Sequence, residues 1–177
     1  MNASEGKTKE FAISNAAAWY TLIICTLLYM VNYMDRQVFS AATELIKKDL
    51  GLLDSHIGTM QMLFLLGMAL FSFPASYLVD RWSRPKTIAL MAFAWSALTF
   101  ITALGDSFAG VAIPRLLVGC GEAGFAAGGT ALIAASFSQA NRSRVMGFFN
   151  MAVPVGAGLG TIIRGAMAYN TPQKLDR

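Results

Sequence analysis

The chain has 177 residues, of which 55% are hydrophobic and 14% charged. Soluble domains run at about 45–50% and about 25%, so the composition describes an all-α polytopic helix bundle in a lipid bilayer. The formal charge of +4 is too modest for a nucleic-acid partner, and the basic residues fall in short gaps between apolar runs, where they act as topology signals.

Residues 1–15 are polar and are expected to form a disordered tail. Lys7 and Lys9 precede an apolar core from Ala16 to Met34, longer than the roughly 7–15 apolar residues of a signal peptide and without a small-residue cleavage site. A retained first helix is therefore predicted over 16–42, with Trp19 and Tyr20 at the interface. The amphipathic stretch Glu44 to Ser55 follows, and Asp54 or Ser55 can cap a second helix over 56–79, which Pro74 should kink. Asp80 to Lys86 is a tight, mostly cationic connector. A third helix is expected over 87–104, closed by Gly105-Asp106-Ser107, and a fourth over 108–137. After a gap carrying Arg142 and Arg144, a fifth helix over 145–168 completes a bundle spanning 16–168, and 169–177 is a short polar tail.

Lys7, Lys9, Arg81, Arg84, Lys86, Arg142 and Arg144 all fall on one side of these crossings, which predicts a cytoplasmic N-terminus. Lys47 and Lys48, on the other side, are offset by Glu44, Asp49 and Asp54. The odd number of crossings leaves Lys174 and Arg177 outside, against the same rule.

Charge within the spans is the main functional signal, because a charge at mid-bilayer costs about 2.5–3.5 kcal/mol even on the lenient insertion scale. Arg115 and Glu122 are seven residues apart on helix four. They share a face to within about 20° but are separated by roughly 10 Å, too far for a direct pair. Counted from the predicted ends at 42 and 108, Asp35 and Arg115 each lie about 10 Å below the same surface, so Asp35 is the depth-matched partner of Arg115. That pair is either a gate or substrate site lining a cavity, or a static tie between helices. Glu122 lies deeper with no cation one turn away, and an unpartnered carboxylate in apolar surroundings favours its neutral form, which makes it a candidate proton carrier. The alternative is a permanently protonated Glu122 bonded to a neighbouring helix.

Gly119, Gly121 and Gly124 on helix four, and Gly156 and Gly160 on helix five, are expected to let other backbones approach closely. Cys25 and Cys120 are assigned structural roles, and His56 a solvated or capping one. With one histidine at a helix mouth and no ligand cluster or nucleophile and base pair, the sequence suggests no enzyme, metal site or cofactor.

Asn32-Tyr33-Met34-Asp35-Arg36 in helix one, Asp80-Arg81 with Arg84 and Lys86 after helix two, and Arg115 through Ala123 in helix four occur in an order that resembles the major facilitator superfamily. Within it, the similarity is to the spinster-like branch and its bacterial organic-anion relatives, over about residues 19–165. The resemblance implies two six-helix halves with a substrate site between them and alternating access by rocking. By motif match it implies proton coupling through Glu122 and Asp35, and substrate binding or gating by Arg115, Asp35 and Tyr33. Asp80, Arg81, Arg84 and Lys86 would latch one conformation. Ser76 and Ser83 stand where the family's connector usually has glycine, and Arg164 also replaces a commoner glycine.

The reading is thus five transmembrane helices of an incomplete six-helix N-terminal half. Its partners would be the bilayer, a small-molecule anion or anionic amphiphile, protons and the missing C-terminal half, in a bacterial inner membrane, and the chain would be inactive alone. The competing reading is a truncated helical membrane protein with only packing or interaction roles.

Overall fold

The computed structural model describes residues 15–170, with side chains from 16 to 166. The two polar tails, with Lys7, Lys9, Lys174 and Arg177, lie outside the described residues. Within them the chain is helical, without strands: α1 (Asn15–Asp49), α2 (Asp54–Arg81), α3 (Arg84–Ala103), α4 (Phe108–Glu122), α5 (Phe125–Ser136), α6 (Gln139–Asn150) and α7 (Ala152–Asn170). Joined across short interruptions, these make five segments long and apolar enough to cross a membrane: Ala16–Asp49, Asp54–Arg81, Arg84–Ala103, Phe108–Ser136 and Gln139–Ala166.

The first helix does not stop near 42. Its amphipathic extension continues to Asp49 because Ile46 and Leu50 seat on a cluster formed by Met60 of α2 with Val111 and Ala112 of α4. Gly51, in the left-handed region at φ 62°, then ends it. The Leu52 amide donates to the Lys47 carbonyl at 2.9 Å, the six-to-one bond of a glycine-terminated helix. The next helix is opened by His56 rather than by Asp54 or Ser55. Its Nδ1 accepts the Leu53 amide at 3.0 Å, while the Asp54 carboxylate accepts from Lys47. Pro74 is accommodated inside an unbroken α2.

Two spans expected to be continuous are interrupted. The fourth turns at Ala123 and Gly124, directly after Glu122, in a stretch where Gly119, Gly121 and Gly124 weaken helical preference. The fifth begins at Gln139 and is broken at Met151, because Pro154 has no amide to offer the Asn150 carbonyl one turn earlier.

The helix α4 packs between α2 and α3, and α7 packs along α1. Both arrangements rest on glycine. A side chain at Gly119 would collide with the Phe64 carbonyl, and one at Gly67 with the Leu116 carbonyl, so α2 and α4 touch backbone to backbone. Gly121 faces Trp95 of α3, and a Cβ there would lie 3.2 Å from it; Gly124 is tighter, with a Cβ 2.7 Å from both Ala75 and Met91. On the other seam Gly156 abuts the Met30 carbonyl, and Gly160 abuts Met34 and Gln37. Apolar clusters flank the centre: the Met60, Val111 and Ala112 group at one end, and Leu22, Cys25, Ile133, Val145 and Phe149 toward the other.

Candidate functional site: a charged layer between α1 and α4

Between those clusters α1 and α4 meet through charged and polar side chains. Arg36 and Glu122 form an ion pair, with Nη2 donating to Oε2 at 2.7 Å and Nε to the same oxygen at 3.0 Å. The Glu122 side chain is 1% exposed and that of Arg36 28%, so the pair sits at the edge of the packed interior. The other carboxylate oxygen, Oε1, is buried without a partner, as is Nδ2 of neighbouring Asn32. The Arg36 guanidinium also lies 5.0 Å from the ring centroid of Tyr33.

Arg115 is placed differently. Its residue exposure is 3%, and Cζ lies 3.8 Å from the ring centroid of Phe39 and 4.6 Å from that of Phe64. Two aromatic faces can hold a desolvated cation, but Nε is unpaired, and among the described residues no carboxylate pairs with this guanidinium. Asp35, its expected partner, instead accepts a hydrogen bond from the Thr99 hydroxyl of α3 at 3.1 Å.

The pairing expected from depth is thus replaced, and the helix ends explain why. With α1 ending at Asp49 instead of 42, Arg36 and Glu122 lie thirteen and fourteen residues from the end of α1 and the start of α4, both roughly 20 Å from that side of the bundle. The same count places Asp35 about 10 Å deeper than Arg115. Glu122 is therefore not isolated. Its cation comes from the neighbouring helix, through the residue beside Asp35 in the first motif. Thr99, Phe39 and Phe64 carry no sequence signal of their own, since a threonine and two phenylalanines in apolar helices are ordinary.

The connector residues are separate from this layer. Asp80 and Arg84 approach to 4.0 Å with largely exposed side chains, and Arg84 Nη1 comes within 3.5 Å of the Ala131 carbonyl of α5. Arg81 lies over the Tyr77 ring at 5.4 Å, and Lys86 is exposed. The candidate packing glycines lie on the two seams described above.

The chain as a whole is similar to known membrane transporters. The pattern of the Major Facilitator Superfamily matches residues 25–172. Protein spinster of Drosophila melanogaster is 29% identical over 85% of this chain and 25% of its own length. A probable L-galactonate transporter of Escherichia coli (strain K12) is 31% identical over 78% of this chain and 30% of its own. A crystal structure of a bacterial homolog of the human lysosomal transporter spinster, inward-facing and unoccupied, superposes with a TM-score of 0.82 at 29% identity, over 87% of this chain and 32% of that one. The chain thus spans a quarter to a third of the length of these relatives. On the match of its five membrane-spanning segments and the family pattern over most of its length, the chain is an integral membrane protein that belongs to the Major Facilitator Superfamily of transporters.

Proposed function

We propose that the chain forms one wall of a proton-coupled secondary carrier for a small organic anion or an anionic amphiphile, working by alternating access. The observation that carries this reading is Arg115, a buried guanidinium held by two aromatic rings and without a carboxylate partner. A cation kept desolvated and unpaired is poised to take the carboxylate of a ligand in a charge-assisted bond. The transported sugar acid in the name of the Escherichia coli relative is an anion of that kind.

Glu122 and Asp35 would carry the proton. Protonating Glu122 would cancel its attraction for Arg36 and free that guanidinium toward the Tyr33 side, so proton binding and gating share one pair. Asp80, Arg81, Arg84 and Lys86 would latch one conformation from the membrane surface. A second helical half would complete the cavity, and without it transport would not occur. The Lys and Arg bias supports a cytoplasmic N-terminus, and the bacterial relatives support an inner-membrane location.

The test is uptake of radiolabelled L-galactonate, within a panel of organic anions, into proteoliposomes carrying the full-length protein. Acidifying the outside should accelerate uptake, and Glu122→Gln should remove that acceleration while preserving exchange of substrate across the membrane. An unchanged proton requirement in Glu122→Gln would take Glu122 out of the mechanism. No uptake of any anion would favour the alternative, a helical membrane protein with only packing or interaction roles.

A further inference from the structure

Thr99 is the exception among its own kind. Every other threonine hydroxyl in the described residues donates to the carbonyl one turn back in its own helix. Thr99 alone reaches another helix, giving its proton to Oδ2 of Asp35 across the gap between α3 and α1 at 3.1 Å. Asp35 stands one turn before Phe39, whose ring lies 3.8 Å from the Arg115 guanidinium carbon. Side chains one turn apart have Cβ atoms about 5–6 Å apart, and the depth difference between the Asp35 and Arg115 backbones is one that the long Arg115 side chain spans, so rotamer changes at both residues bring the carboxylate and the guanidinium toward each other. The Arg36 guanidinium, next to Asp35 in sequence, is already taken by Glu122.

We propose that Thr99 is a positioning residue: its hydroxyl holds the Asp35 carboxylate toward α3 and away from Arg115, which leaves the Arg115 guanidinium open to the carboxylate of the transported anion. The substrate role of Arg115 rests on the function proposed above, whereas the placement of Asp35 does not. Without the Thr99 hydroxyl, Asp35 pairs with Arg115, and an entering anion must displace an internal competitor.

Two measurements on the full-length protein test this. In lipid bilayers, solid-state NMR of protein labelled with ¹³C at aspartate carboxyls and ¹⁵N at arginine should show no Asp35–Arg115 dipolar contact in the native protein or in Thr99→Ser. The contact should appear in Thr99→Val, with Asp35→Asn identifying the signal. In proteoliposomes, Thr99→Val should raise KM for L-galactonate about tenfold, the factor for a site free in one molecule in ten. The maximal rate should change far less, and Thr99→Ser should restore KM. A contact already present in the native protein, its absence in Thr99→Val, or failure of serine to restore KM would overturn the proposal. If the native protein takes up no galactonate, the functional reading fails, and the NMR comparison still decides the placement of Asp35.

Discussion

Helix α4 meets its neighbours in two unlike ways. Against α2 and α3 it presents glycine, so that Gly119 touches the Phe64 backbone and Gly121 the backbone of Trp95. Against α1 it presents long side chains: Glu122 to Arg36, and Arg115 to Phe39. The glycine seams leave no room for a side chain, because a Cβ at Gly119 would meet the Phe64 carbonyl. The charged interface can be remade by rotating side chains while every helix stays in place. The lesson is a division of labour, with the glycine contacts of α4 fixing where Arg115 and Glu122 stand and the long side chains allowing what they hold to be exchanged.

The largest effect should come from breaking the side-chain face. Arg36→Ala leaves Glu122 buried without its cation, a change that costs about 3–5 kcal/mol when one partner of a buried pair is lost. Thermal unfolding in detergent should show the drop, and adding Glu122→Gln should recover much of it. The glycine face should respond next. Gly119→Ala places a methyl group on the Phe64 carbonyl and should cost about 1–3 kcal/mol, with no rescue by any change at Arg36. Gly158→Ala, where no atom lies within 4 Å, should instead be neutral or stabilising by up to about 1 kcal/mol. Equal responses at the two glycines would remove the distinction between seam and open surface. The smallest effect should lie outside both faces. His56→Ala removes the acceptor for the Leu53 amide and should cost about 1 kcal/mol, as loss of a helix cap does. Faster hydrogen exchange at Leu53 would report it.

The five crossings and the small-residue contacts were legible because hydropathy and glycine spacing report directly on lipid burial and close approach. The helix ends were not. Ile46 and Leu50 lie among lysines and aspartates, a pattern that suits an exposed connector, and only their seat on Met60, Val111 and Ala112 makes the segment a continuation of α1. That seven-residue extension moved the depth scale, turned the matched pair from Asp35 with Arg115 into Arg36 with Glu122, and gave Glu122 a cation. The interruption at Met151 could be read from Pro154, whereas the one after Glu122 depends on how tightly Gly124 is held against Ala75 and Met91. Thr99 was invisible because its role depends on a contact between residues 64 positions apart.

The α1–α7 seam bears on how the protein is made. Gly156 lies at Met30 and Gly160 at Met34 and Gln37, so residue numbers rise together along both helices and the two run in the same direction. A hairpin cannot produce that arrangement. About 100 residues separate the end of α1 from the start of α7, and at about 5–20 residues per second α1 emerges from the ribosome roughly 5–20 s before the helix that covers it. Until α3 and α4 bring Thr99 and Glu122, Asp35 and Arg36 must be sheltered by the insertion machinery or by water drawn into the bilayer. The order of synthesis brings Glu122 to Arg36 before α7 arrives, so the ion pair is available to hold α1 in place while α7 is still being made.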